Sequence, residues 1–144
     1  DIVYDLNKRI ECNCGYSSKH IIGCYAQYQE FFDIVFCLEV FEYIWNPYEA
    51  VKNLWWMLKP GGELYISFPF VYPHHNPEGH DYLRYTQWGA LKLLKETGFN
   101  VIEVNSRVET CGLLNQFYSL EKMHPAKGFD GHHDIGYMIK AIKK

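Results

Sequence analysis

Residues 33–69 read DIVFCLEVFEYIWNPYEAVKNLWWMLKPGGELYISFP, and the order of signals within them sets the fold. Asp33 to Leu38 is a nearly continuous apolar run rich in β-branched residues, the pattern of a strand buried on both faces. Asn46-Pro47 then opens a helix, because Asn caps well and Pro suits the first helical position. Ala50, Val51, Leu54, Trp55 and Leu58 recur at helical spacing and form one apolar stripe. Lys59-Pro60-Gly61-Gly62 stops the helix: proline cannot continue it, and glycine supplies the positive φ of a sharp reversal. Glu63 to Pro69 is the next strand.

Working outward, Asp1 to Leu6 reads as a short strand and Asn7 to Ser18 as polar loop, with a short helix open as a reading within His20–Phe31. After Pro69, Tyr72 to Tyr85 is a long loop of His, Pro, Asn, Gly and Asp. Thr86 caps a second helix carrying Leu91, Leu93 and Leu94, and Thr97-Gly98 closes it. Val101 to Val108 is a strand, Glu109 to His133 a loop, and Ile135 to Ile142 the last strand. Strand, helix, strand, helix, strand is the pattern of parallel βαβ units. The final strand follows another with no helix between, so it is expected to be antiparallel, at or near the sheet edge. The whole of 1–144 reads as a single α/β domain.

Composition narrows the function. Hydrophobic residues make up 48% and charged residues 22%, which suits a folded chain. The net charge is −3 and no basic run marks a nucleic-acid footprint. No apolar run reaches membrane-spanning length and the first residues lack a signal-peptide pattern, so no membrane and a cytoplasmic setting are expected. The five cysteines then read as reduced thiols. Cys12, Cys14, His20 and Cys24 have the composition of a Cys3His zinc site, but their spacing lacks the usual C-x2-C start, so zinc stands as an alternative to plain thiols.

Three segments together resemble class I S-adenosylmethionine-dependent methyltransferases of the type 11 kind. FFDIVFCLEVFEYIWNPYEAVKNLWWMLKPGGELYISFPF is similar to that family's strand, Leu-Glu-x-x-Glu-His-like stretch, helix, Leu-Lys-Pro-Gly-Gly and strand ending in Pro. HHNPEGHDYLRYTQWGALKLLKETGFNVIEV resembles the segment that follows, and DIVYDL resembles the third strand, where Asp-Leu borders the adenine. Tyr43 stands where the family has His. The family's glycine-rich cofactor loop and acidic second strand end have no counterpart here, and the resemblance places them upstream of Asp1. It implies a Rossmann-like methyltransferase sheet, incomplete at its N-terminal side, and S-adenosylmethionine as cofactor. The expected acceptor is a small molecule or glycan-type compound. A homodimer, or a missing N-terminal half, is the expected protein partner. The competing reading is a non-catalytic interaction module that pairs through an exposed sheet edge.

Open α/β sheets bind ligands at the carboxyl ends of their strands. The resemblance puts Asp5 and Leu6 against adenine, and Cys37, Leu38 and Glu39 against the methionine part. Asp5 also reads as a plain turn residue, and Glu39 as a solvated loop carboxylate. Phe70, Tyr72, Tyr82 and Arg84 are candidates for acceptor binding. His74, His75 and His80 are candidate general bases with Asp81 to orient one of them, because histidine titrates nearest neutrality. Each histidine taken alone also fits a surface role, and Arg84 could simply pair with Asp81.

Overall fold

The computed structural model describes residues 5–10, 28–71, 79–109 and 133–144. In chain order these contain β1 (Phe32–Cys37), a 3-10 turn (Phe41–Tyr43), α1 (Pro47–Met57), β2 (Leu58–Pro69), α2 (Gln87–Glu96), β3 (Phe99–Glu109) and β4 (His133–Lys143). The proposed strand at Asp1–Leu6 falls mostly outside the described residues, as do Tyr72, His74, His75 and the whole Cys12, Cys14, His20 and Cys24 set.

Both helices start where their caps predict. The Asn46 side chain accepts from the Glu49 N–H, with Pro47 at the first helical position. Thr86 accepts from the Gly89 N–H at 3.1 Å. Each cap satisfies an N–H that has no partner within the helix. The other end of α1 departs from expectation. The helix stops at Met57 and β2 begins directly at Leu58, so Lys59–Gly62 is not a separate turn. Those residues form a bulge in the pairing, between Phe32↔Leu58 and Ile34↔Glu63, and Gly61 takes the positive φ of 78° there.

The four strands lie in the order β1-β2-β4-β3. β1 and β2 pair in parallel, as a βαβ unit requires, whereas β4 pairs antiparallel with both β2 and β3. Expectation and structure agree that the last strand is antiparallel. Its position is one strand in from the edge, between β2 and β3, and β3 takes the edge. The second βαβ pair is therefore not adjacent: β3 runs the same way as β2 but meets it only through β4.

The core lies on one face of this sheet. Leu64, Ile66 and Phe68 stand beside Ala141, Ile139 and Tyr137 in register, and all six are buried. Ala50, Val51 and Leu54 of α1 and Ala90 and Leu94 of α2 belong to the same cluster. Both helices thus cover the same side. Alternation of side chains sends Ile34 and Phe36 to the opposite side, where they are 49% and 67% exposed. This corrects the expectation that β1 is buried on both faces. Its sequence is apolar enough for that, but among the described residues no element covers its second face and no strand pairs with its outer edge. Phe36 instead stacks on Tyr65 of β2 at 5.0 Å.

Gly136 lies where the sheet leaves no room for a side chain. A Cβ built there would lie 2.8 Å from the Phe68 carbonyl oxygen. Gly136→Ala should lower stability by about 1–3 kcal/mol, the usual cost of overpacking. The urea denaturation midpoint measures it; an unchanged midpoint would show that β4 shifts freely.

Candidate active site

The carboxyl ends of β1 and β2 lie side by side, since Cys37 pairs with Ile66 at the parallel register. The chain leaves β1 through Glu39, which adopts a left-handed φ of 53°. Few non-glycine residues do so, and such positions recur where local contacts hold the backbone. Here the holding contacts are visible. The Glu39 N–H donates to Ser67 Oγ at 2.8 Å, and the Ser67 hydroxyl donates back to Glu39 Oε1 at 2.9 Å. Arg107 of β3 also donates to Oε1, at 2.6 Å. In the strand register Gly136 lies between Pro69 and Arg107 and adds no side chain to that row. Glu39 is thus a carboxylate fixed by groups from two other strands.

The 3-10 turn follows. Phe41 is fully buried and meets Phe68 edge-on at 4.9 Å and Tyr85 at 6.2 Å. The Tyr85 hydroxyl donates to the Phe41 carbonyl at 3.2 Å. These contacts dock the second half of the loop after β2 onto the exit from β1. Tyr82 and Leu83 donate their N–H groups to the Glu42 carbonyl, and Tyr85 donates its N–H to Pro69. Phe70 is fixed likewise, its N–H donating to Ile135 and its ring 6.0 Å from Tyr137.

Within that loop, Asp81 and Arg84 form a two-pronged ion pair: Arg84 Nη2 donates to Asp81 Oδ2 at 2.6 Å and Nη1 to Oδ1. The pair raises the Arg84 pKa, chiefly through these hydrogen bonds. His80 lies on the exposed side, with Nδ1 3.5 Å from the Tyr82 hydroxyl. Asp81 is turned toward Arg84, and Tyr82 is the neighbour that His80 meets.

Asp5 lies in a turn. Its Oδ1 accepts from both the N–H and the side-chain amide of Asn7 at 3.0 Å, which lowers its pKa. The turn is tied to α1 from two sides. Asn7 Oδ1 accepts from the N–H groups of Trp45 and Asn46, and the buried Asn53 amide donates to the Leu6 and Lys8 carbonyls. Asp5 and Leu6 are therefore held beside the start of α1, on the same side of the molecule as the β1 exit.

The candidates named from sequence that fall within the described residues, Asp5, Leu6, Cys37, Leu38, Glu39, Phe70, His80, Asp81, Tyr82 and Arg84, thus gather around one edge of the sheet. Sequence reasoning missed Ser67, Arg107, Trp45 and Glu42. Ser67 and Arg107 carried no local signal. Glu42 did carry one, as the second Glu of the Leu-Glu-x-x-Glu stretch. It is 1% exposed, and its carboxylate bears on Cys37 and Tyr85.

Comparison with known proteins fits this arrangement. Residues 24–66 match the family described as "Methyltransferase domain". That span includes β1, the 3-10 turn, α1 and most of β2. A solved S-adenosylmethionine-dependent methyltransferase from Mesorhizobium loti superposes with a TM-score of 0.59 at 15% identity, over 97% of this chain and 67% of its own. The fold is that of the class I S-adenosylmethionine-dependent methyltransferases. The "Ubiquinone biosynthesis O-methyltransferase" of Coxiella burnetii is 32% identical over a 93-residue alignment, with 48% of this chain and 40% of that protein covered. The chain thus spans less than half the length of the curated relatives it matches. The [4+2]-cyclase SpnF shares the fold too, at a TM-score of 0.50 and 18% identity over 80% of this chain and 52% of its own, so fold alone does not name a reaction. The reading as an interaction module gains no support from these comparisons.

Cys37 is buried at the end of β1, and burial first, then the Glu42 charge, pushes its thiol up to about 12. At neutral pH it is a thiol and not a nucleophile. A raised folded-state value stabilises the fold below the ordinary 9.0 and loses that contribution as pH rises toward 12. Cys37 should resist iodoacetamide in the folded protein at pH 8, and the urea midpoint should fall as pH rises above 9. Peptide mapping by mass spectrometry reads the first; rapid alkylation at pH 8 would contradict it.

Proposed function

We propose that this chain belongs to an enzyme that transfers the methyl group of S-adenosylmethionine to a hydroxyl of a small-molecule acceptor. The observation that carries the reading is the position of the family match. It covers the segment that leads through Glu39, and Glu39 is the carboxylate that Ser67 and Arg107 fix at the sheet's carboxyl edge. The O-methyltransferase named among the relatives favours an oxygen acceptor.

The donor set suits the cofactor. S-adenosylmethionine carries an ammonium, an adenine amine and a sulfonium, and the carboxylates of Asp5 and Glu39 complement such groups. Asp5 and Leu6 would hold the adenine, and the backbone of Cys37 and Leu38 with Glu39 the methionine part. When bound, the cofactor would supply an electrophilic methyl group on a sulfonium sulfur, with a thioether as the leaving group. The chain's own residues then have three tasks. They align the acceptor oxygen with that methyl, exclude water and take the hydroxyl proton. His80 is the described residue suited to the proton, as an exposed imidazole on the docked loop. His74 and His75 are the other candidates, and Tyr72 joins Phe70, Tyr82 and Arg84 as candidate acceptor contacts. Asp81 acts through Arg84 by holding its guanidinium in place.

Calorimetric titration with S-adenosylhomocysteine tests this. Micromolar binding is expected, and Glu39→Gln should weaken it about ten- to a hundredfold, the value of a hydrogen bond to a charged group. A folded chain that shows no heat of binding at millimolar ligand would sink the reading.

A further inference from the structure

We propose that Trp45, Tyr82 and His80 form the subsite that receives the acceptor, and that the acceptor presents an uncharged ring bearing hydroxyl groups. The proposal rests on the methyl-transfer reading and adds a substrate class to it.

Trp45 lies between the 3-10 turn and the cap of α1. Its indole is 70% exposed, and Tyr82 is 44% exposed. A single exposed aromatic residue is ordinary. These two are not single. Their rings meet edge-to-face at 5.6 Å and 71°, and His80 meets Tyr82 at 6.4 Å and 77°. Three rings from two separate segments make one corner.

The corner is also held rigidly from behind. The Trp45 N–H donates to Asn7 Oδ1 at 2.7 Å, and the next N–H, of Asn46, donates to the same atom at 3.0 Å. The Tyr82 N–H donates to the Glu42 carbonyl at 2.7 Å, and the Asp81–Arg84 pair flanks it. Backbones fixed on both sides leave only the side-chain torsions to be ordered at binding, which is how preorganised aromatic platforms gain affinity.

The chemistry on offer selects the ligand. The indole and phenol faces supply apolar area for a ring. The Tyr82 hydroxyl and His80 Nδ1 lie 3.5 Å apart, close enough for one ligand hydroxyl to engage both. The charges that flank Tyr82, Asp81 and Arg84, pair with each other. A neutral hydroxylated ring fits all three features. It could be planar, as in a catechol, or puckered, as in a pyranoside, since both stack a C–H or π face on an indole.

The test titrates the chain, saturated with S-adenosylhomocysteine, with catechol and separately with methyl glucoside. The indole N–H resonances are followed, and Trp45→Phe assigns the one from Trp45. Saturable movement of that signal by at least one probe is expected. Trp45→Ala should weaken the probe at least tenfold and leave S-adenosylhomocysteine affinity unchanged. A response to catechol alone identifies a planar phenolic source, and a response to glucoside alone a sugar. Cofactor binding with no movement by either probe, or equal probe affinity in Trp45→Ala, overturns the corner alone. Probe binding without S-adenosylhomocysteine binding overturns methyl transfer and leaves the ring site standing.

Discussion

Strand β4 holds two antiparallel ladders at once, and the candidate site depends on that. Its hydrogen bonds join β2 on one side to β3 on the other. Without it, β3 would have no place in the sheet, and Arg107 would not reach Glu39. The strand is pinned at both ends. At the carboxyl edge of β2, Gly136 lets the backbone close against Phe68. At the opposite edge, the buried Lys143 amine donates to the Leu58 carbonyl at 2.8 Å and to Glu30 at 3.1 Å, and lies 3.9 Å from the Trp55 ring centre. A lysine is seldom buried unless paired. Here the ion pair, the carbonyl and the aromatic face together replace its lost water. The same residue ties β4 to the start of β2, where the α1 reversal occurs.

The two faces of the sheet have different characters as a result. The helix-covered face is apolar throughout its centre. On the other, Glu63 accepts from Lys140 at 2.8 Å and from the Tyr65 hydroxyl at 2.7 Å, and Lys140 first, then Tyr65, lowers the Glu63 pKa. Lys140 also lies over the Tyr65 ring at 5.3 Å. That ladder of charge and aromatic contact runs toward Phe36 and Ile34, which remain exposed. The polar cluster and the apolar edge thus share one face, and it is the face from which Arg107 approaches Glu39.

What was legible in the sequence was local. Asn46-Pro47 and Thr86 announced two helix starts because caps act over three or four residues, and the structure places the predicted hydrogen bonds there. The apolar runs announced the strands. What was not legible was long-range. The insertion of β4 between β2 and β3 is decided by pairing across distant segments, and β4 carries no mark of its neighbours. Arg107 and Glu39 are 68 positions apart, so no spacing rule could join them. Lys59-Pro60-Gly61-Gly62 misled in a different way. Its composition is that of a turn, yet a bulge uses the same positive φ at Gly61, and only the pairing on either side tells the two apart. Trp45 likewise carries no local signal of Tyr82, which meets its ring from a separate segment.

The buried Glu42 connects the core to the edge. Its backbone carbonyl receives the N–H groups of Tyr82 and Leu83, so the loop that carries His80 and Arg84 is anchored on this residue. Its carboxylate, meanwhile, raises the pKa of Tyr85 beyond what burial alone does, and of Cys37 likewise. Both neighbours therefore remain neutral across the physiological range, and the interior beneath the site carries one acidic group and not three. The same charge favours the cationic form of Arg84, after the larger effect of Asp81. Glu42 thus fixes the loop through its backbone carbonyl and bears on Cys37, Tyr85 and Arg84 through its side chain.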